Sequence, residues 1–101
     1  MIRGTTPTLI FTTPYPMNMI KSGYITFTMR GDILLDISVN DESVSISDNA
    51  ISVTLTQEQT LMFDTNSKNL IQIRLVLSDD SVVASNIVTL SVGRILRDGE
   101  I

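Results

Sequence analysis

Two adjacent acids, Asp79-Asp80, are the most chemistry-like pair in this chain. Two carboxylates can share general-acid and general-base work on a glycan, or hold calcium through oxygen ligands. Their setting between two apolar runs, Ser78-Asp79-Asp80-Ser81, favours a solvated hairpin turn instead. Asn40-Asp41-Glu42 and Asp48-Asn49 form a second acidic group. Together they can supply calcium ligands, and turn chemistry explains the same residues. The chain has no histidine and no cysteine. The usual general base, the thiolate nucleophile and the common zinc ligands are therefore missing, which excludes Ser-His and Cys-His arrangements and ordinary zinc sites. There is no Gly-rich phosphate loop. The expectation is a non-enzymatic chain with no cofactor and no metal.

What remains is contact chemistry. Tyr15 and Tyr24 are the two aromatics available for stacking on a sugar; there is no tryptophan, and the three phenylalanines read as core. Met17 and Met19 follow Pro16 and, with Ile20, make a soft and adaptable surface. The alternative for this loop is a plug in the open end of a sandwich. The tail, Arg94 to Ile101, mixes Arg94 and Arg97 with Ile95, Leu96 and Ile101. It reads as a mobile end or as a segment that docks on a neighbour. The Pro14-Ile20 loop, the serine-rich strand Ser43-Ser47, whose exposed edge can pair with a strand of another chain, and this tail are the candidate partner contacts.

The elements that must position these groups have a dominant period of two. The organising stretch is Ala50 to Val92: a strand (Ala50-Leu55), a short helical turn (Thr56-Phe63) and an apolar hairpin (Leu70-Leu77 with Val82-Val92). Ile51, Val53 and Leu55 alternate with polar residues, as do Ile71, Ile73, Leu75 and Leu77. Thr56-Gln57-Glu58-Gln59 fits a capping box, with Glu58 near the positive end of the helix dipole. Such a capped turn carries a chain from one sheet of a sandwich to the other. Ser85-Asn86 marks a bulge in the return strand, and Val88, Leu90 and Val92 share a face.

Upstream, Thr8-Thr12 is a short strand stopped by Pro14-Tyr15-Pro16, which cannot serve a sheet ladder. Tyr24-Arg30 turns Ile25, Phe27 and Met29 one way. Ile33, Leu35, Ile37 and Val39 form the buried set of the next strand. Gly31-Asp32 joins the two as a Gly-first hairpin turn. Ser43-Ser47 is a serine-rich edge strand, a type that discourages unwanted pairing. Seven strands with turns every 8–12 residues predict an all-β, antiparallel, immunoglobulin-like β-sandwich, with a small β-barrel as the alternative. The whole chain, 1–101, is read as one domain, with 94–101 as its tail.

The totals bound the reading. The chain has 101 residues, enough for one core. Charged residues are 18%, below the roughly 25% of ordinary soluble domains. A charge-poor surface points to a partner, and a homo-oligomer is the simplest one. The net charge of -4 argues against nucleic acid, which needs a basic stripe. No stretch approaches a membrane span or a signal core. Folding in the cytoplasm is the expectation.

Ile51-Ser52-Val53-Thr54-Leu55-Thr56-Gln57-Glu58-Gln59-Thr60-Leu61, with Arg3-Gly4-Thr5-Thr6-Pro7-Thr8 and Ile71-Gln72-Ile73-Arg74, resembles small proteins encoded by phages and prophages of Gram-positive bacteria. The resemblance covers most of the chain. More distantly, Ile33 to Val92 is similar in pattern to the immunoglobulin-like N-terminal domain of phage upper baseplate proteins. The family pattern often has Asp-Gly in the final hairpin turn, where this chain has Asp79-Asp80. The resemblance transfers no functional residues. It implies a virion component, assembled in the bacterial cytoplasm, that joins other virion proteins in the head, connector or tail. The alternatives are a phage-encoded inhibitor of a host protein and a carbohydrate-binding adhesin module.

Overall fold

The computed structural model describes all 101 residues. Eight strands form two antiparallel sheets. The smaller sheet has the order β1 (Thr8–Thr12), β5 (Ala50–Thr54), β4 (Val44–Ser47). The larger has the order β3 (Asp32–Ser38), β2 (Ile20–Met29), β6 (Asn69–Leu77), β7 (Val82–Ala84), and β8 (Val88–Thr89) also pairs with β6. The sheets stack as a sandwich. Ile51, Val53 and Leu55 from one side meet Ile25, Phe27, Ile71, Ile73, Leu75 and Leu77 from the other, all buried. Alternation puts apolar side chains on one face of each sheet, and face-to-face stacking removes both faces from water together.

The crossing between sheets follows the sequence. Helix α1 (Gln57–Leu61) starts at a complete capping box: Thr56 Oγ1 accepts from the Gln59 amide at 3.1 Å, and Gln59 Oε1 accepts from the Thr56 amide at 2.9 Å. The helix is shorter than the stretch to Phe63 that the pattern predicts, and Phe63 instead turns inward as a buried core residue. Arg3 closes the helix end. Its Nε donates to the Phe63 carbonyl at 2.7 Å and an Nη to the Leu61 carbonyl at 2.9 Å. A guanidinium satisfies orphan carbonyls there and sits at the negative end of the helix dipole. Thr60, fully buried, donates to the Thr5 carbonyl at 2.8 Å and ties the N-terminal segment down as well.

The structure departs from the sequence pattern in three places. The first hairpin turns at Arg30-Gly31, one residue earlier than Gly31-Asp32. Both turn residues have positive φ (56° and 86°), and Met29 pairs with Asp32. That is the type I′ geometry, whose twist matches the flanking strands. Arg30 is held there by hydrogen bonding to Ser67 and by an ion pair with Asp64. Second, Ile33 lies on the outer face and is 66% exposed. A bulge at Leu34 sets Phe27 opposite Leu35 but Thr28 opposite Ile33, so the alternation skips a residue. Third, the return strand splits into β7 and β8, which makes eight strands rather than seven. Ser85 takes the break: its amide donates to the Ile73 carbonyl at 2.8 Å, while its Oγ accepts from the Ile73 amide at 3.0 Å. Leu90 and Val92 pack on the core, while Val88, opposite Ile71 on the two-residue edge strand β8, is exposed.

The β6–β7 hairpin has a three-residue loop. Asp80 donates to the Leu77 carbonyl at 2.9 Å, and Leu77 donates to the Ser81 carbonyl at 2.8 Å. Asp80 has φ 67°, the left-handed position that favours glycine. Asp80→Gly is expected to raise stability by about 0.5 kcal/mol, or roughly 2–4 °C in Tm, because relief of the left-handed penalty exceeds the loss of an exposed ion pair to Lys21. Thermal unfolding of the two proteins side by side checks this.

Candidate functional site

The acidic groups are engaged by their own turns. Asp41 accepts from the Ser43 amide at 2.9 Å and from its hydroxyl at 2.7 Å. Asp79 accepts from the Ser81 hydroxyl at 2.6 Å and its amide at 3.0 Å. These bonds favour the ionised form and hold both carboxyls below the ordinary aspartate range. Asp79 and Asp80 do not act as a pair, since Asp80 bonds Lys21. No three acidic or imidazole groups converge on a point where an ion would sit.

Two of the sequence-predicted contacts, the Tyr15 loop and the tail, lie at opposite ends of the sandwich. The Tyr15 loop closes the end near Leu77. Met17–Met19 is a single 3₁₀ turn, the Met19 carbonyl accepts from Ser78 at 2.8 Å, and the Met17 amide reaches Asp48 at 3.4 Å. Tyr15 and Ile20 pack on the core, while Met17 and Met19 face solvent. The loop therefore combines a plug with an outward methionine pair.

The tail lies at the α1 end, against its own chain. Asp98 pairs with Arg3 at 3.1 Å. Ile101 and Gln57 exchange two hydrogen bonds, at 3.0 and 3.3 Å. Ile95 is half-buried and lies close against Gly4. Just before the tail, Gly93 pairs in parallel with Ile2, so the two chain ends run side by side. Leu96 is 99% exposed, and neither Arg94 nor Arg97 has an ion-pair partner. The docked face of the tail leaves Leu96 and these two cations outward.

A third surface lies apart from both and has no counterpart among the sequence-predicted contacts. The outer face of the larger sheet exposes Tyr24, Ile33, Val82 and Ile87 around Arg74. Two shallow depressions of about 290 and 380 Å³ lie on it. Tyr24 sits across from Arg74, and Thr26 donates to Asp36 at 2.7 Å. The signal was present in Tyr24, Thr26 and Thr28, which alternate away from the core. The displaced Ile33 adds the apolar centre that strict alternation had assigned inward. A smaller cleft of about 160 Å³ opens between the sheets, lined by Phe11, Tyr15, Leu75 and Val83.

The class these features define is a small antiparallel β-sandwich-like domain with unpartnered apolar surface. No protein-family model matches the chain, and it has no match among the curated proteins or the solved structures.

Proposed function

We propose that this chain is a non-enzymatic structural or accessory component of a phage particle, working in the head, connector or tail through protein–protein contacts. The observation that carries the contact mechanism is the outer face of the larger sheet. Tyr24, Ile33, Val82 and Ile87 are exposed there on ordered strands, and apolar surface gathered on a rigid face is what association buries. The shape agrees. The accessible surface is 6328 Å², against the roughly 5,650 Å² that a compact monomer of this mass exposes. The particle assignment is supported by the sequence resemblance of Ile51–Leu61 and its flanking segments to phage-encoded proteins. The parallel pairing of Ile2 with Gly93 supports reading the sandwich as immunoglobulin-like.

The test is the copy number of this protein in purified particles, measured by quantitative mass spectrometry against the major capsid protein. A stoichiometric fraction is the expected result: near parity for a shell component, a small ring's worth for tail machinery. Expression during infection without incorporation would overturn the proposal. A sugar-binding reading has one observation in its favour, the exposed Tyr24 ring beside Arg74 and Asp36. Glycan-array binding that is lost in Tyr24→Ala would favour it.

A further inference from the structure

The four sheet edges are not equally protected. On β3 the edge carries Asp32 and Asp36 and is kinked by the bulge at Leu34. Strand β4 is short and flanked by Asp41-Glu42 and Asp48, and β7 stops after three residues at the Ser85 break. Charge, shortness and bulges are the devices that keep edges from pairing. Strand β1, Thr8-Leu9-Ile10-Phe11-Thr12, carries no charge and no bulge, and its flanking prolines, Pro7 and Pro14, lie outside the strand. It is regular, uncharged and rich in strand-forming residues.

The register says which groups it offers. Leu55 donates to the Pro7 carbonyl and Thr13 to the Asn49 carbonyl, both at 3.0 Å. Odd-numbered residues of this strand therefore bond toward β5, paired as Leu9 with Val53 and Phe11 with Ile51. In an antiparallel ladder the alternate residues point the other way. The main-chain N–H and C=O groups of Thr8, Ile10 and Thr12 thus face outward, and no side chain or loop bonds to them. Ile10 is 68% exposed in the middle of this edge.

The strand also reads the same in type from both ends. Thr8 mirrors Thr12, Leu9 mirrors Phe11, and Ile10 is the centre. We propose that β1 pairs antiparallel with β1 of a second copy, about a twofold axis at Ile10. Ile10 then exchanges main-chain hydrogen bonds with its symmetry mate, and Thr8 of each copy does so with Thr12 of the other. Every free donor on the edge meets an acceptor. The two smaller sheets become one continuous sheet. Ile10 packs beside Ile10 on its outer face with no charge apposed. On its inner face Leu9 meets Phe11 of the second copy, a non-hydrogen-bonded pair with closely spaced side chains. Phe11 lines the cleft that opens at this seam, so the second copy covers apolar surface that the single chain leaves open. Pro7 and Pro14 bracket the strand and bound how far the pairing can extend, and the mirror symmetry of Thr8–Thr12 sets the register. The contact is isologous and closes on itself, consuming the one unprotected edge of each copy. The pairing does not depend on the particle assignment.

The test is the mass of the full chain in solution by light scattering, at concentrations up to about 100 µM. The expected result is twice 11.1 kDa. Ile10→Lys sets two like charges across the axis, at an exposed position where the fold tolerates lysine. Its dimerisation is expected to weaken by about 100-fold or more. A second readout does not depend on that variant. The chain has no cysteine, so Ile10→Cys is its single thiol. A short bismaleimide is expected to link it into a covalent dimer, whereas the exposed Ser45→Cys on β4 stays monomeric. A monomeric wild-type protein at the highest concentration would overturn the proposal. So would a dimer indifferent to Ile10→Lys, or cross-linking that favours Ser45→Cys. A dimer with the expected pattern from a protein absent from particles would leave the β1 pairing standing and remove only the particle assignment.

Discussion

Phe27→Ala is expected to cost about 3–5 kcal/mol of unfolding free energy. Phe27 is fully buried in the central strand of the larger sheet, opposite Leu35 on β3 and Ile71 on β6. Its ring meets Phe63 edge-on, with centroids 5.9 Å apart and an interplanar angle of 69°. The loss is thus twofold: the transfer energy of a large side chain, and the cavity left among strands that cannot collapse onto it. Domains of this size have about 5–15 kcal/mol in total, so a large share of the stability is at stake. The corresponding fall in Tm is roughly 12–40 °C. Urea titration of Phe27→Ala and of Phe27→Leu, which keeps most of the volume, separates the cavity from a general loss of aromatic character. Phe63→Ala and the double variant should show a coupling of about 0.5–1.5 kcal/mol, because the rings touch. A cost under about 1 kcal/mol for Phe27→Ala would mean that the sheets do not stack through this ring.

The same ring explains why much of the architecture was legible in the sequence. Where a strand is buried on one face and stays regular, alternation assigns every side chain. Ile25 and Phe27, Ile51 and Val53, and Ile71 through Leu77 all lie where period two puts them. The capping box was legible for a similar reason: it is a local motif whose donors and acceptors are three residues apart. Alternation fails where the chain inserts a residue. The bulge at Leu34 leaves no mark in residue type, since Ile33, Leu34 and Leu35 are all apolar, and period two has no way to show which is extra. Strict alternation therefore puts Ile33 in the core, and the outer apolar face it helps build leaves no mark in the pattern. The first turn moved for a related reason. Gly31 suits several turn positions, and the choice of Arg30-Gly31 depends on the register of the ladder and on distant Asp64 and Ser67. Long-range ties of that kind, including Arg3 at the end of α1 and Asp98 on Arg3, involve residues far apart in the chain and have no local sequence signature. The tail's contacts with Gln57 and Gly4 are of the same kind, since its own residues give no hint of them.

Gly23→Ala is expected to cost about 3 kcal/mol, at the upper end for inserting one methyl group into a packed interior. Gly23 is buried in β2, directly opposite Leu75. A Cβ built there would lie 2.9 Å from Leu75 Cδ2 and 3.0 Å from Leu75 Cα, and it would overlap the Arg74 carbonyl oxygen. Leu75 Cδ2 can swing away; the Arg74 carbonyl and Leu75 Cα are main chain and cannot move without breaking the ladder. Strand β2 lies between β3 and β6, so a shift there disturbs pairing on both sides, including the Val39 amide bond to the Gly23 carbonyl at 3.0 Å. Gly31→Ala is the control that isolates this cause. Gly31 has φ 86°, but an added methyl group meets nothing within 4 Å. Its expected cost is the conformational one alone, about 1 kcal/mol. Urea unfolding of the two variants therefore ranks close approach against backbone preference. If the Gly23 variant lost no more than the Gly31 variant, β2 and β6 would have to separate at little cost, and the tight pairing at Gly23 could not be what sets the spacing of the larger sheet.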